Sequence, residues 1–315
     1  MAIEPTEWIW SDGQWLRWED ATVHVSAHVL HYGSSVFEGI RAYDRPDGPA
    51  IFRLDCHIRR LLNSCKLLRL PVAFSAAELR EVCLDTIARN GLRSGYVRPL
   101  VFRESGSMLV DGWSCPARVV IFAFPWASYL GQEAHERGVE ARVSSWRRFA
   151  GDSMLPLGKI GGQYINNQLV SAEARIDGYG EGIALDGQGM VAEGGAENLF
   201  MVEAGALVTP PLETGILGGI TRDTVATLAG DLGIPVREAR FGRDRLYLAD
   251  EVLMTGTAAE ITPVISVDRL PIGEGKPGPV TRRLQAAFFG LVRGELPDAH
   301  GWMTPVPEAV TSAGR

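Results

Sequence analysis

Lysine is scarce in this chain. Lys66, Lys159 and Lys276 are its only lysines in 315 residues, and every other cation among the 31 basic residues is arginine. A charge needed for solubility alone would, by this usage, be arginine. A lysine in a neutral run is therefore a candidate for amine chemistry, which needs a proton that can be lost and which a guanidinium does not offer. Lys159 stands in such a run. Between Asp152 and Glu173 the segment SMLPLGKIGGQYINNQLVSA carries no other charge. By spacing alone an exposed loop lysine would read the same way.

Other scarcities exclude whole classes. The four cysteines, Cys56, Cys65, Cys83 and Cys115, show no CxxC spacing, which argues against a zinc site or disulfide frame and for reduced thiols. The longest apolar run, 119–127, is too short to span a membrane and contains Pro125. The start MAIEPTEWIW lacks the basic region of a signal peptide. Positive charge is outweighed, with a net charge of −7, which disfavours non-specific nucleic-acid binding. A soluble cytoplasmic protein is expected.

What is present suits a sizeable core: 46% of residues are hydrophobic and 22% charged. Trp8–Trp18 reads as a hairpin turning at Asp12-Gly13. A strand at Ala50–Leu54 leads to a helix capped by Asp55, with Ile58, Leu61, Leu62, Cys65 and Leu68 on one face. Ser75 and Glu78 form a capping box for a helix that ends near Gly91. Tyr96–Phe102 and Ala117–Phe124 read as strands, and Pro125–Glu136 as a linker. A strand at Val139–Ser145 and a helix at Tyr164–Asp177 follow. Hairpins are expected at Ile183–Ala192 and Asn198–Thr209, and a helix at Thr221–Leu232. Strands at Glu251–Met254 and Ile261–Val267 and a helix at Val280–Arg293 complete the reading. Hairpins outnumber strand–helix–strand alternations, so the expected class is α+β with a mixed sheet.

Several familiar motifs are missing. There is no GxxxxGK[ST], GxGxxG or GxSxG. His24, His28 and His31 lack an acidic fourth ligand and sit in what reads as strand and turn, so no metal is expected.

The remaining constellation suits pyridoxal 5′-phosphate. That group needs an amine for a Schiff base, for which Lys159 is the candidate. It needs an acid to protonate the ring nitrogen. Glu193 ends a strand beside Gly194 and Gly195, though a turn carboxylate would read alike. Tyr164 could reach the ring oxygen, or could simply pack in the core. Gly218-Gly219-Ile220-Thr221 opens a helix whose free N–H groups suit a phosphate, and Thr255-Gly256-Thr257 and Arg60 could assist.

At these residues the chain resembles the branched-chain amino acid aminotransferases, in the fold-type IV, class IV group of pyridoxal-phosphate enzymes. The resemblance runs from Trp10 to about Gly301. It rests on HVLHYGSSVFEGIRAYD, HIRRL, GYVRPLVF, FPWASYLG, KIGGQYINNQLVSAEA, GIALD, AEGGAENLF, GITRD, YLADEVLMTGTAAEITPV and GPVTRRLQAAFFGL. It implies a two-domain fold: a small N-terminal α/β domain over 1–127, a linker over 128–136, a larger cofactor-binding domain with a barrel-like β core over 137–308, and a loose tail over 309–315. It implies at least a homodimer, with a higher assembly of dimers left open. Small amino acids and 2-oxo acids would be the other partners. Lys159 would be the catalytic Schiff-base residue. The cofactor would be bound by Arg60, Lys159, Tyr164, Glu193, Leu217, Gly219, Ile220, Thr221, Gly256 and Thr257. Tyr96, Thr257 and Ala258 would hold the substrate α-carboxylate. Phe37, Gly39, Trp126 and Tyr129 would shape the side-chain pocket, with Tyr32 entering from a neighbouring subunit. Arg98 would meet the distal carboxylate of glutamate.

The implied reaction is transamination between leucine, isoleucine or valine and 2-oxoglutarate. Two alternatives stay open: a promiscuous fold-type IV aminotransferase acting on D-amino acids or (R)-amines, and a catalytically silent binding protein. The chain departs from the family in the bulky loop Ser107-Met108-Leu109-Val110 and in Gly218, where proline is common.

Overall fold

The computed structural model describes residues 3–126, 130 and 133–308. Tyr129, much of the expected linker and the expected 309–315 tail lie outside these residues. Contacts divide the chain into two compact units. Unit 1 holds 1–126, 158–162 and 291–315, and unit 2 holds 127–157 and 163–290. The lysine at 159 thus belongs with unit 1, inside a span that the sequence reading assigned as a whole to the larger domain.

In unit 1, β1 (Trp8–Ser11) and β2 (Gln14–Arg17) form the expected hairpin, turning at Asp12 and Gly13, both at positive φ. The histidine-rich stretch, read as strand and turn, has a turn at Val25-Ser26, but His28 and His31 lie in a short helix, α1 (His28–Tyr32). Its five residues are too few to display a helical period. Strands β3 (Ser35–Phe37), β4 (Ile40–Tyr43) and β5 (Ala50–Phe52) lead to α2 (Leu54–Leu67) and α3 (Ala76–Arg89). The cap of α2 differs from expectation. Its N-cap is Arg53, in the left-handed region at φ 53°, and Asp55 lies within the first turn, where its charge suits the helix dipole. The capping box of α3 forms as read, with Ser75 Oγ accepting from the Glu78 amide.

Strands β6 (Gly95–Arg103) and β7 (Ala117–Phe124) pair along eight antiparallel residue pairs. The sheet of unit 1 runs from strand Met303–Pro305 through β5, β4, β6, β7 and β1 to β2, with β3 also on β6. One face packs α2 and α3 through Ile58, Leu61, Cys65, Leu79, Cys83 and Ile87, against Ile40, Val97, Val101 and Ile121.

Unit 2 carries α4 (Ala134–Arg137), β8 (Val139–Arg147), α5 (Tyr164–Ile176), β9 (Glu181–Leu185) and β10 (Val191–Gly194). It continues with β11 (Asn198–Glu203), β12 (Ala206–Thr209), α6 (Ile220–Asp231), β13 (Val236–Glu238) and α7 (Arg243–Tyr247). Then come β14 (Glu251–Gly256), β15 (Glu260–Val267), β16 (Leu270–Pro271) and α8 (Pro279–Arg293). The sheet order is β10-β9-β8-β15-β14-β11-β12-β13, with β16 on β15. Both expected hairpins, β9–β10 and β11–β12, are antiparallel, whereas β8–β9, β15–β8 and β12–β13 are parallel. The sheet is mixed and curls as a half-barrel. Strands β9, β10, β11 and β14 are almost wholly buried, so they do not show the alternation of a half-exposed strand.

Candidate active site

Unit 1 gathers one set of the sequence-selected residues. The Lys159 amide donates to Ser64 Oγ at 3.0 Å, and its carbonyl accepts from the Phe37 amide at 3.1 Å. The ammonium then lies 5.0 Å from the centre of the Phe37 ring. Removal from water pushes the pKa of Lys159 down, the Arg60 charge adds to this, and Glu38 partly opposes it, leaving a value of about 8 against an ordinary 10.5.

Arg60 lies on α2, where its Nε and Nη2 donate to Glu38 at 2.6 and 2.9 Å. Tyr96 and Arg98 are two apart on β6 and so share a face. The Arg98 guanidinium rests 4.8 Å from the Phe37 ring centre and 5.4 Å from that of Tyr96. Its Nε is buried without a hydrogen-bond partner among the described residues. Tyr96 also stacks on Trp126, with ring centres 4.7 Å apart. Gly39 is required here: a Cβ on it would lie 1.8 Å from the Tyr96 hydroxyl oxygen.

Tyr32 stands apart from this group, 42% exposed, with its hydroxyl donating to the Met108 carbonyl at 3.0 Å. The nearby histidines are occupied in loop contacts. His28 bonds Ser34 Oγ and the Leu109 carbonyl, His31 the Val25 carbonyl and His24 Ser26. Among the described residues no group of His, Cys, Asp and Glu is placed to hold a metal.

Unit 2 gathers the other set, and its hub is a residue the motif reading did not select. Asn198 Nδ2 donates to Glu193 Oε2 at 3.1 Å and to the Leu217 carbonyl at 2.9 Å. The Leu217 amide returns a bond to Glu193 Oε2 at 3.0 Å. Glu193 Oε1 faces Arg148 Nη2 at 2.8 Å, both side chains nearly fully buried. Arg148 is held in turn by Asn166, Asn167 and the Gly215 carbonyl.

A Cβ on Gly219 would come within 1.8 Å of Asn198 Oδ1. Gly219 is the N-cap of α6, and no side chain caps that end. The amides of Ile220 and Thr221 thus open the helix at its positive pole. Asn198 pairs with Thr255 across β11 and β14, which places Gly256, Thr257 and Ala258 just beyond. Thr255 Oγ1 is buried with no partner among the described residues. Tyr164 is half-buried at the first position of α5.

These features fit a phosphorylated aldehyde cofactor. The fit rests on an amine of lowered pKa, an uncapped helix N-terminus behind a glycine with no room for a Cβ, and a buried carboxylate held by two donors and an arginine. Glu38, His57, Ser64, Asn198 and Arg148 escaped the sequence reading. Glu38, His57 and Asn198 stand beside selected residues in FEG, HIRRL and AEGGAENLF, whereas Ser64 and Arg148 lie outside every quoted motif.

This arrangement defines a class of protein: the chain belongs to the class IV amino-transferases, whose family model matches residues 35–267. Within that class it is similar to the branched-chain-amino-acid aminotransferase of Salmonella typhimurium, 52% identical over 309 residues, which cover 97% of this chain and 99% of that one. The crystal structure of the Escherichia coli branched-chain amino acid aminotransferase matches with a TM-score of 0.94 at 52% identity, covering 96% of this chain and 100% of that one. The branched-chain amino acid aminotransferase of Thermobaculum terrenum, in its PLP-bound holo-form, matches with a TM-score of 0.90 at 36% identity, covering 96% and 99%. Among the described residues no helix is long and apolar enough to cross a membrane.

Proposed function

We propose that this chain transfers the amino group between branched-chain L-amino acids and 2-oxoglutarate, using pyridoxal 5′-phosphate. The observation that carries the reading is the buried amine of Lys159, anchored through its backbone to Ser64 and Phe37 and lowered to about 8 by loss of water and then by the Arg60 charge. When bound, the cofactor supplies an electron sink for the substrate α-carbon. The chain does the rest. Lys159 Nζ would hold the cofactor and would move the substrate α-proton as base and then as acid, a task suited to a pKa near neutrality. Glu193, kept in place by Asn198, the Leu217 amide and Arg148, holds the ring nitrogen's proton. Tyr164 serves the ring oxygen. Arg60, Ile220, Thr221 and Thr257 bind phosphate, with Leu217, Gly219 and Gly256 giving close backbone approach. Tyr96, Thr257 and Ala258 hold the α-carboxylate, and Phe37, Gly39 and Trp126 line the side-chain pocket.

The same reading makes the chain a cytoplasmic homodimer. An exposed apolar group supports the dimer: Leu30 on α1, with Met108, Leu109, Val110 and Trp113, exposed by 54 to 76%. Tyr32 lies against it and would complete the partner's pocket.

A panel of amino donors against 2-oxoglutarate, with Lys159→Arg beside the parent, tests the function. Leucine, isoleucine and valine should be the fastest donors. Lys159→Arg should bind the cofactor without a covalent link and should not turn over. Equal rates with D-alanine or an (R)-amine, or turnover by Lys159→Arg, would overturn it.

A further inference from the structure

Glu38 has no task in the motif reading, yet it is wholly buried and takes three hydrogen bonds from α2. Arg60 Nε and Nη2 donate at 2.6 and 2.9 Å, and His57 Nδ1 at 2.7 Å. His57 is a neutral donor. Burial pushes its pKa down against the pull of Glu38, and its buried Nε2 has no partner among the described residues. His57 and Arg60 are three residues apart on one face of α2, so the helix fixes their spacing. A guanidinium gripped along its Nε/Nη2 edge is fixed in its plane, and with it the direction of its remaining nitrogen.

The same helix anchors the lysine. Ser64 Oγ accepts the Lys159 amide at 3.0 Å while donating to the Arg60 carbonyl at 2.8 Å. Phe37, the neighbour of Glu38, bonds the Lys159 carbonyl. The amine, Arg60 and Glu38 therefore share one frame.

We propose that Glu38 is the positioning residue of the cofactor's phosphate site, setting the plane of Arg60, with His57 as the strut that keeps the Glu38 carboxylate from turning. This rests on the reading that Arg60 meets the phosphate. Glu38 itself touches neither cofactor nor substrate. Its effect should therefore depend on the phosphate group and pass through Arg60.

Titration of the full-length chain with pyridoxal 5′-phosphate and with phosphate-free pyridoxal, followed by absorbance, separates this from a purely structural role. In Glu38→Gln the preference for the phosphorylated ligand over pyridoxal should fall by about ten- to a hundredfold, the scale of a charge-assisted hydrogen bond, a ratio in which any change at the shared Lys159 amine, which Glu38 also influences, cancels. In an Arg60→Met background Glu38→Gln should change that preference no further. Should Glu38→Gln not fold, Glu38→Asp, which keeps the charge but withdraws it from Arg60, should show the same selective loss. The Glu38→Gln/Arg60→Met pair, which leaves no unpaired buried charge, should then match Arg60→Met. Equal weakening for both ligands, or losses that add in the double variant, would overturn the role of Glu38. A parent that does not prefer the phosphorylated ligand, or a preference untouched by Arg60→Met, would instead remove the phosphate reading beneath it.

Discussion

Lys159 draws its chemistry from its surroundings. Loss of water around the amine, then the Arg60 charge, lowers its pKa to about 8, with Glu38 opposing. Lowering an amine's pKa populates the neutral, nucleophilic form at lower pH. At pH 7 roughly a tenth of such a group is neutral, against about 0.03% for an ordinary lysine. Cofactor uptake by cofactor-free protein, followed by stopped-flow absorbance, should rise about tenfold per pH unit and level near 8. A plateau only near 10 would contradict the environment described. The stability linkage has the same root. Between about 8 and 10.5 the unfolded chain binds a proton that the folded chain has lost, so stability from this group increases with pH across that window. Lys159→Met should remove that increment from the thermal melting curve.

Arg98 has a different task. Its head lies on the Phe37 and Tyr96 rings, and its Nε lacks a protein partner among the described residues. A cation that tolerates apolar neighbours, yet keeps a donor in reserve, can accept leucine and glutamate in turn. Arg98→Leu should cost glutamate and 2-oxoglutarate roughly 2–5 kcal/mol in kcat/KM, and leucine about 1 kcal/mol or less. Single-turnover half-reactions with each donor measure this, and equal losses would make Arg98 a structural residue.

At the scale of elements, local signals were legible and distant ones were not. The Asp12-Gly13 turn, the Ser75/Glu78 box and the helix at 164–176 all follow from residues within a turn or two of each other. The neutral run around Lys159 was legible for the same reason. Glu38 meets its partners 19 and 22 residues away, and Asn198 meets Leu217 at a distance of 19, so no spacing rule could connect them. Strands β3 and β4, three and four residues long on either side of Glu38-Gly39, were too short to alternate visibly.

Asn198 illustrates what such a hidden residue does for its elements: one amide ties β10, β11 and the segment before α6 together. Gly219→Ala would drive a Cβ into Asn198 Oδ1, and the amide cannot retreat without breaking its bonds to Glu193 and Leu217. The variant should lose roughly 1–3 kcal/mol of stability, as overpacked sites do, and should bind pyridoxal 5′-phosphate more weakly. Thermal melts without cofactor and a binding titration check both effects. A variant that melts and binds like the parent would show that Asn198 has room to move.

At the scale of the whole molecule, the apolar group on α1 and loop 105–113 is left exposed among the described residues. Loop 105–113 joins α1 through His28 Nε2 to the Leu109 carbonyl and Tyr32 to the Met108 carbonyl, and Arg69 lies 5.7 Å over the Trp113 ring. Yet Leu109, Val110 and Trp113 remain 66, 76 and 69% exposed. Their side chains stand outside the core while their backbones are tied down, so the patch is presented in a fixed shape. Exposed apolar surface of this kind marks interfaces, and in the proposed dimer the bulk that sets this loop apart in the sequence would serve contact between copies. Leu109→Asp/Val110→Asp should place two carboxylates where a symmetric partner presents the same two, so the repulsion is felt twice in each dimer. The changes touch no core residue, so the fold and its melting should survive in dilute protein. Sedimentation should show the mass halved, and turnover should fall with it, because Tyr32 of one copy would no longer reach the other. A variant that stays dimeric would remove this face as the interface. One that becomes monomeric and keeps full activity would show that each copy completes its own pocket.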